Sequence, residues 1–379
     1  MARKRATDLS KTDMTMLVLI VLLVIFGLAV LFSSSEYNGR VRFGDSACYF
    51  KKQLFATALG MGVMYMVSSI DYHFFLRLGP VAYLISMFLS GAVLFVGQEI
   101  NGSKRWLNLG PLSFQPSEFA KVAVILFLAW QIERTKKATM GFGFMCRTIL
   151  TLLPIIGLVG SNNLSTAIIV MAITVLLLFL VHPKTKRFVV FACVVLVLAV
   201  IVVVYLKIQI SDMATSTDFR MRRIIAWLNP EANSDKDSYQ FLQGLYAIGS
   251  GGFFGKGLGN STQKLSAIPE AQNDMILTVI CEELGVFGAI LILCLFGFML
   301  YRLMFIARNA PDLYGSLIAA GIFSHIALQV ILNIAVVTGL IPTTGVTLPF
   351  ISYGGTAVVF LLAEMGIALG ISSKIELKD

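Results

Sequence analysis

Ile268-Pro269-Glu270-Ala271-Gln272-Asn273-Asp274 runs directly into the apolar stretch Met275-Ile276-Leu277-Thr278-Val279-Ile280, and at this point a long polar segment returns to hydrocarbon-like sequence. Ten such apolar runs separate along the chain: Met14–Ser34, Leu54–Ile70, Pro80–Val96, Ser117–Ile132, Thr148–Val159, Leu164–Val181, Phe188–Leu206, Asp274–Met299, Tyr314–Val337 and Val346–Ile371. About 20 apolar residues carry a helix across a bilayer. The expectation is therefore an all-α integral membrane protein of about ten transmembrane helices, with a large extracytoplasmic loop, 207–273, between helices 7 and 8. The fifth run is short, contains Pro154, and meets the sixth across a tight Gly160-Ser161-Asn162-Asn163 turn.

Composition agrees. Of 379 residues, 57% are hydrophobic and 13% charged, against about a quarter charged in soluble domains. The net charge of +9 comes from basic residues scattered in short loops rather than gathered in a stripe, so nucleic acid is excluded as a partner. The five cysteines form no Cys-x-x-Cys pair and the three histidines are scattered, so neither a disulfide framework nor a zinc site is expected. The run after Arg3-Lys4-Arg5 is too long for the core of a signal peptide and is expected to stay as the first span.

The expected organisation is a cytoplasmic tail (1–13), a single polytopic membrane domain (14–371) and a second cytoplasmic tail (372–379). An even number of spans puts both termini on one side. The excess of Lys and Arg in alternate loops, including Arg134, Lys136, Lys137, Lys184, Lys186 and Arg187, makes that side cytoplasmic. Arg40, Arg42, Lys51 and Lys52 oppose this orientation.

Several polar groups demand an account. Asp274 lies where the chain enters lipid. A favourable position near a helix N-terminus explains an acid there, and so does a partly desolvated carboxylate serving as a general base. Glu282 and Glu283 fall about 12 Å deeper at 1.5 Å per residue, where a carboxylate must face protein or water; a structural ion pair is expected. Glu118 and Lys121 open the fourth span on one helix face, either as an internal pair or with Lys121 aimed at an anionic ligand. Lys104 and Arg105 precede Trp106, as in an interfacial anchor. Arg220, Arg222 and Arg223 precede an amphipathic Ile224-Ile225-Ala226-Trp227 segment and suit either anionic membrane lipid or a diphosphate clamp.

Gly249-Ser250-Gly251-Gly252-Phe253-Phe254-Gly255-Lys256-Gly257 imitates a phosphate loop but departs from its pattern at both ends. Asp235-Lys236-Asp237 has the spacing of a metal-binding sugar-nucleotide motif, although a solvated loop explains it better. His325, Gln329 and Asn333 recur every four residues as one polar stripe, as interhelical hydrogen bonding requires.

Asn101-Gly102-Ser103-Lys104-Arg105-Trp106-Leu107 and Phe114-Gln115-Pro116-Ser117-Glu118-Phe119-Ala120-Lys121 resemble signatures of the SEDS (shape, elongation, division and sporulation) family. So do Tyr239-Gln240 through Gly257-Leu258-Gly259-Asn260-Ser261, Pro269-Glu270-Ala271 with Asp274, and Glu282-Glu283-Leu284-Gly285. The terminal stretch from Thr338-Gly339-Leu340-Ile341-Pro342 to Pro349-Phe350-Ile351-Ser352-Tyr353-Gly354-Gly355 completes the resemblance, which covers nearly the whole chain. Thr347, where the elongation branch usually has proline, is similar to the division and sporulation branch. Asn162-Asn163-Leu164-Ser165-Thr166, Thr344 and Gln272-Asn273 depart from common family residues, and the last pair removes a histidine beside the aspartate.

The resemblance implies a membrane peptidoglycan glycosyltransferase that polymerises lipid II, the undecaprenyl-diphosphate-linked disaccharide peptide. Its partners would be a class B penicillin-binding protein transpeptidase and other divisome membrane proteins at the division septum of the bacterial plasma membrane. Asp274 is then the catalytic base. Lys104, Arg105, Lys121, Arg220, Arg222 and Arg223, with Glu118, Ser352 and Tyr353, are candidates for substrate binding. No cofactor is certain; a divalent cation (Mg or Mn) on the diphosphate is compatible with the sequence, which shows no dedicated metal ligands. A lipid II flippase and a non-catalytic divisome scaffold are the other functions such a chain would serve.

Overall fold

The structure, a computed structural model, describes residues 12–376 apart from 101–102, 110–111, 136–140, most of 183–218, 231–235 and 265–270. In chain order the described elements begin with α1 (Met14–Phe43), α2 (Cys48–Ser69) and α3 (Phe74–Val96). A meander of β1 (Gln98–Ile100), β2 (Ser103–Leu109) and β3 (Leu112–Phe114) leads to α4 (Pro116–Glu133), α5 (Phe142–Asn162) and α6 (Leu164–Val181). After these come α7 (Phe219–Leu228), α8 (Lys236–Gly251), α9 (Ile276–Asn309), α10 (Leu313–Val337) and α11 (Thr356–Ser372). Among the described residues six helices, α1, α3, α5, α6, α9 and α10, are long and apolar enough to cross a membrane. They leave large apolar side chains such as Phe88 and Phe95 facing outward, as suits a lipid surround rather than water. Most of the seventh expected span lies outside the described residues; its described positions, among them Val190, Val197 and Val204, are helical.

Local chemistry sets the helix ends. The Asp13 side chain accepts from the Met16 N–H to start α1, which stops where Gly44 takes a left-handed φ of 69°. Asp312 caps α10 through the Gly315 N–H, and Asn163 caps α6 through Thr166. Pro116 opens α4 at a position whose N–H has no helical partner in any case. Where α2 meets α11, a Cβ on Gly366 would lie 2.6 Å from the Met64 carbonyl oxygen, so only glycine permits this approach.

The two described ends of the chain meet at one end of the bundle, where the Asp13 N–H donates to Ser372 Oγ at 3.2 Å. Arg302 near the end of α9 pairs there with Asp13 at 2.6 Å. The meander, α7 and the segment before α11 border the candidate site, and α8 packs against α9.

Three segments differ in detail from the sequence reading. The tenth run does not start as a helix at Val346: α11 begins at Thr356, and residues 339–355, where glycine and proline cluster, form a non-helical re-entrant segment with positive φ at Gly345 and Phe350. The connection between the third and fourth runs is a three-stranded antiparallel meander, Leu107 opposite Phe114 and Gln98 opposite Trp106. The eighth span begins at Ile276 and is broken at Gly285, whose φ of 68° and ψ of −168° are not helical.

The glycine-rich stretch explains that break. Lys256 and Gly257 N–H groups donate to the Glu282 and Glu283 carbonyls, and Val286 and Phe287 N–H groups donate to the Gly252 and Phe253 carbonyls, all at 2.9–3.0 Å. The loop thus takes over backbone groups freed by the kink, as buried backbone requires. It is a backbone latch, and its resemblance to a phosphate loop is superficial.

Glu282 and Glu283 hold the same junction. Glu282 pairs with Lys256 at 2.7 Å and accepts from Ser261 and Thr262. Buried Glu283 pairs with buried Lys264 at 2.8 Å and accepts from Ser33 Oγ of α1.

Candidate functional site

A cavity of about 350 Å³ lies between the meander, the first turns of α4, α6 and α11, and the 271–275 turn before α9. Of the residues expected from the sequence, it is lined by Asp274, Arg105, Arg223, Lys121, Glu118 and Tyr353. Asp274 is half-buried. It stands one residue before Met275, the N-cap of α9, so the helix N-terminus and the chamber both act on it.

The tightest statement of the geometry comes from Gly345. The position a Cβ would take there is 3.9 Å from each of Asp274 Oδ2, Arg105 Nη1 and Arg223 Nη1. One carboxylate and two guanidinium groups from three distant parts of the chain therefore surround a point that a glycine with φ +74° leaves open. Each arginine is anchored. Arg105 Nε donates to the Asn162 carbonyl at 2.7 Å, and Asn162 Nδ2 donates back to the Lys104 carbonyl. Arg223 Nη1 donates to the Thr343 carbonyl at 3.3 Å, while Trp227, one turn on, holds the Gly339 carbonyl at 2.7 Å.

Charge in the cavity favours an anion. Arg42, Arg105, Lys121 and Arg223 line it against two acids, Glu118 and Asp274. Gln115 with Glu118, Asn163 with Thr166, and Gly354 with Ala357 mark the N-terminal turns of α4, α6 and α11 on the same wall. Each such end carries roughly half a positive charge and is suited to phosphate oxygens. Lys121 is 2% exposed and pairs with Glu118 at 2.9 Å, so it is both neutralised in part and fixed in place.

Asn333 and Gln329 of the α10 stripe support this wall. Asn333 Nδ2 donates to the carbonyls of Asp274 at 2.9 Å and Val346 at 2.7 Å. Gln329 Nε2 donates to the Thr347 carbonyl at 3.1 Å and its Oε1 accepts from Lys121 at 3.4 Å. His325 faces Glu364 of α11 at 2.8 Å. Of these bonds, His325–Glu364 and Lys121–Gln329 join helix to helix, as expected, whereas Asn333 and the Gln329 amide nitrogen hold carbonyls of non-helical backbone.

Other expected residues are placed elsewhere. Lys104 lines a smaller neighbouring cavity beside Arg105, and Arg222 is exposed on α7. The side chain of Arg220 lies outside the described residues, as do Pro269 and Glu270. Ser352 is buried and its Oγ accepts from the Leu348 N–H at 2.8 Å, bracing the re-entrant turn instead of facing the cavity. Tyr353 lines the cavity and packs edge-on against Tyr49, ring centroids 5.1 Å apart.

Sequence reasoning missed Arg42, Gln98, Gln115 and Thr347 as cavity residues. Arg42 did carry a signal, because it stood against the charge bias of the loops. Among the described residues no three His, Cys, Asp or Glu side chains cluster as metal ligands.

Fold and cavity together define a polytopic helical membrane protein with a cation-lined chamber at one end of its bundle. Residues 13–376 match the cell cycle protein family that groups FtsW, RodA and SpoVE. The chain belongs to this family, the SEDS family. It is 36% identical over 370 residues to stage V sporulation protein E of Bacillus subtilis, covering 97% of this chain and 98% of that one. It is 34% identical to a probable peptidoglycan glycosyltransferase FtsW of Trichlorobacter lovleyi, covering 97% of this chain and 95% of that one. A solved chain from a peptidoglycan synthase complex that coordinates polymerization and crosslinking superposes with a TM-score of 0.76 at 27% identity, covering 95% of this chain and 97% of that one. The rod shape determining protein RodA of Thermus thermophilus superposes with a TM-score of 0.68 at 25% identity, covering 97% and 98%.

Proposed function

We propose that this chain is a peptidoglycan glycosyltransferase that polymerises lipid II into glycan strands, with Asp274 as general base. The observation that carries this reading is the open point at Gly345, equidistant from Asp274 Oδ2 and the Arg105 and Arg223 guanidinium groups.

Polymerisation joins the 4-hydroxyl oxygen of the acceptor GlcNAc to C1 of the donor sugar as the C1–O bond to the lipid diphosphate breaks. The hydroxyl proton passes to the Asp274 carboxylate, a transfer worth about 10²–10⁴-fold in rate. The bonding electrons leave with the diphosphate, whose growing charge is met by Arg105, Arg223 and Lys121 and by the helix N-termini. Single displacement converts an α-linked donor to a β-linkage. Glu118 keeps Lys121 in place, and Tyr353 with Tyr49 forms the apolar side of the chamber.

The membrane domain sits in the bacterial plasma membrane with both termini cytoplasmic and the chamber on the outer face. Identity to the SpoVE and FtsW relatives supports a division or sporulation role at the septum in preference to elongation. The likeness to a chain of a peptidoglycan synthase complex supports a class B penicillin-binding protein as partner, alongside other divisome membrane proteins and anionic membrane lipid.

The test is reconstitution of the chain with its transpeptidase in vesicles containing labelled lipid II. A ladder of glycan products is expected. Translocation of lipid II across the vesicle wall without any polymer would replace this reading with a flippase, and neither activity would leave a scaffold.

A further inference from the structure

We propose that Asn333 is a positioning residue that sets where the Asp274 carboxylate stands; this rests on the reading of Asp274 as the base. Asn333 lies on α10, is fully buried, and directs one amide nitrogen at two backbone carbonyls. One belongs to Asp274 itself, at 2.9 Å, and the other to Val346, the residue after Gly345, at 2.7 Å. A single side chain thus ties the turn that bears the acid to the re-entrant segment that leaves room for substrate.

Neither segment is held by a helix or a strand of its own. Asp274 precedes α9 in a five-residue run of turn conformation, and residues 341–348 have no regular secondary structure. Tyr353 N–H, donating to the Gln272 carbonyl at 2.9 Å two residues before Asp274, also spans the gap. Gln329, one turn below Asn333, repeats the device with the Thr347 carbonyl and reaches Lys121. The two amides hold consecutive carbonyls, so α10 acts as a ruler between base and cation.

The Asn333 Oδ1 is buried with no hydrogen-bond partner. A leucine would fill the same space but could hold neither carbonyl. The chain keeps an amide here for its donor, and both donations end on the walls of the site. A residue kept for packing alone has no need of that donor.

The test compares the full chain with its transpeptidase partner, as wild type, Asn333→Asp, Asn333→Ser and Asp274→Asn, on labelled lipid II. Asn333→Asp keeps the shape and turns the donor into a charged acceptor facing two carbonyls. A displacement of about 1 Å at a reacting group costs on the order of 100-fold, so kcat is expected to fall about 10–100-fold with KM for lipid II within about twofold. The defect should shrink as pH falls and the new carboxyl regains a proton to donate, a recovery Asn333→Ser cannot show.

His325→Gln, on the same helix and outside the chamber, controls for stability: it should lower the unfolding midpoint and leave kcat near wild type. If Asn333→Asp fails to insert, Asn333→Ser carries the kcat comparison. Wild-type kcat in both Asn333 variants, with Asp274→Asn inactive, overturns the positioning role and leaves the base reading intact. Activity retained by Asp274→Asn removes the base reading itself.

Discussion

Lys121 Nζ lies 2.9 Å from Glu118 Oε2, one turn apart on α4, with side chains 2% and 10% exposed. A charge at this depth is tolerable only while paired. Glu118→Ala should therefore destabilise the protein by about 3 kcal/mol, the lower end for a broken buried pair, because the chamber admits water beside it. Lys121→Met leaves Glu118 unpaired and removes a cation from the chamber, so it should also raise KM for lipid II. Thermal unfolding in detergent and lipid II titrations separate the two effects.

Gly345 offers a second test. A methyl group there meets nothing closer than 3.9 Å, so Gly345→Ala should cost only the left-handed backbone penalty of about 1–2 kcal/mol. It would nonetheless project into the point shared by Asp274, Arg105 and Arg223. Activity should fall far more than stability, and a variant that keeps full polymerisation would show that substrate does not occupy this point.

The glycine-rich stretch predicts a contrast between neighbours. A Cβ on Gly251 would lie 1.9 Å from the Cys281 carbonyl oxygen, and one on Gly255, at φ +78°, 2.2 Å from that of Glu283. Gly251→Ala or Gly255→Ala should disrupt the α9 kink and lower the yield of folded protein. Gly249, inside α8, meets nothing within 4 Å, so Gly249→Ala should be neutral or stabilise by about 0.5–1 kcal/mol. Fluorescence-detected size exclusion of the three variants reads the difference.

At the opposite end of the bundle, His73 bridges Asp71 and Asp312 at 2.8 Å each, and Lys374 approaches Asp71 at 3.6 Å. Burial raises the Asp71 carboxyl, but hydrogen bonds from the His73 N–H and ring and the charges of His73 and Lys374 outweigh it and leave the group below its ordinary range. A carboxyl lowered by folding stabilises above its unfolded value, near 3.9, and loses that contribution as pH falls through its folded value. Unfolding midpoints measured from pH 6 down to 3 should decline, and Asp71→Asn should flatten part of that decline.

Much of this was legible in the sequence where apolar composition and caps agree. Leu164–Val181 is the expected sixth span to the residue, bounded by Asn163 and His182. Val346–Phe350 shows where composition misleads. It is as apolar as a helix, yet its carbonyls are held by Asn333 and Gln329 and its backbone is bent by Gly345 and Phe350. An apolar run buried in protein need not be helical, and nothing local announces partners on α10.

The site was half legible for a related reason. Asp274, Arg105, Arg223 and Lys121 stood out because charge in a membrane sequence is costly. Arg42 opposes the charge bias of the loops, and only the extension of α1 to Phe43 carries it to the chamber.

The base assignment is tested most directly by glycan ladders from wild type and Asp274→Asn, each reconstituted with the cognate class B transpeptidase and labelled lipid II at matched membrane insertion. The account predicts a ladder from the wild type and none from the variant. Equal ladders from both would contradict it.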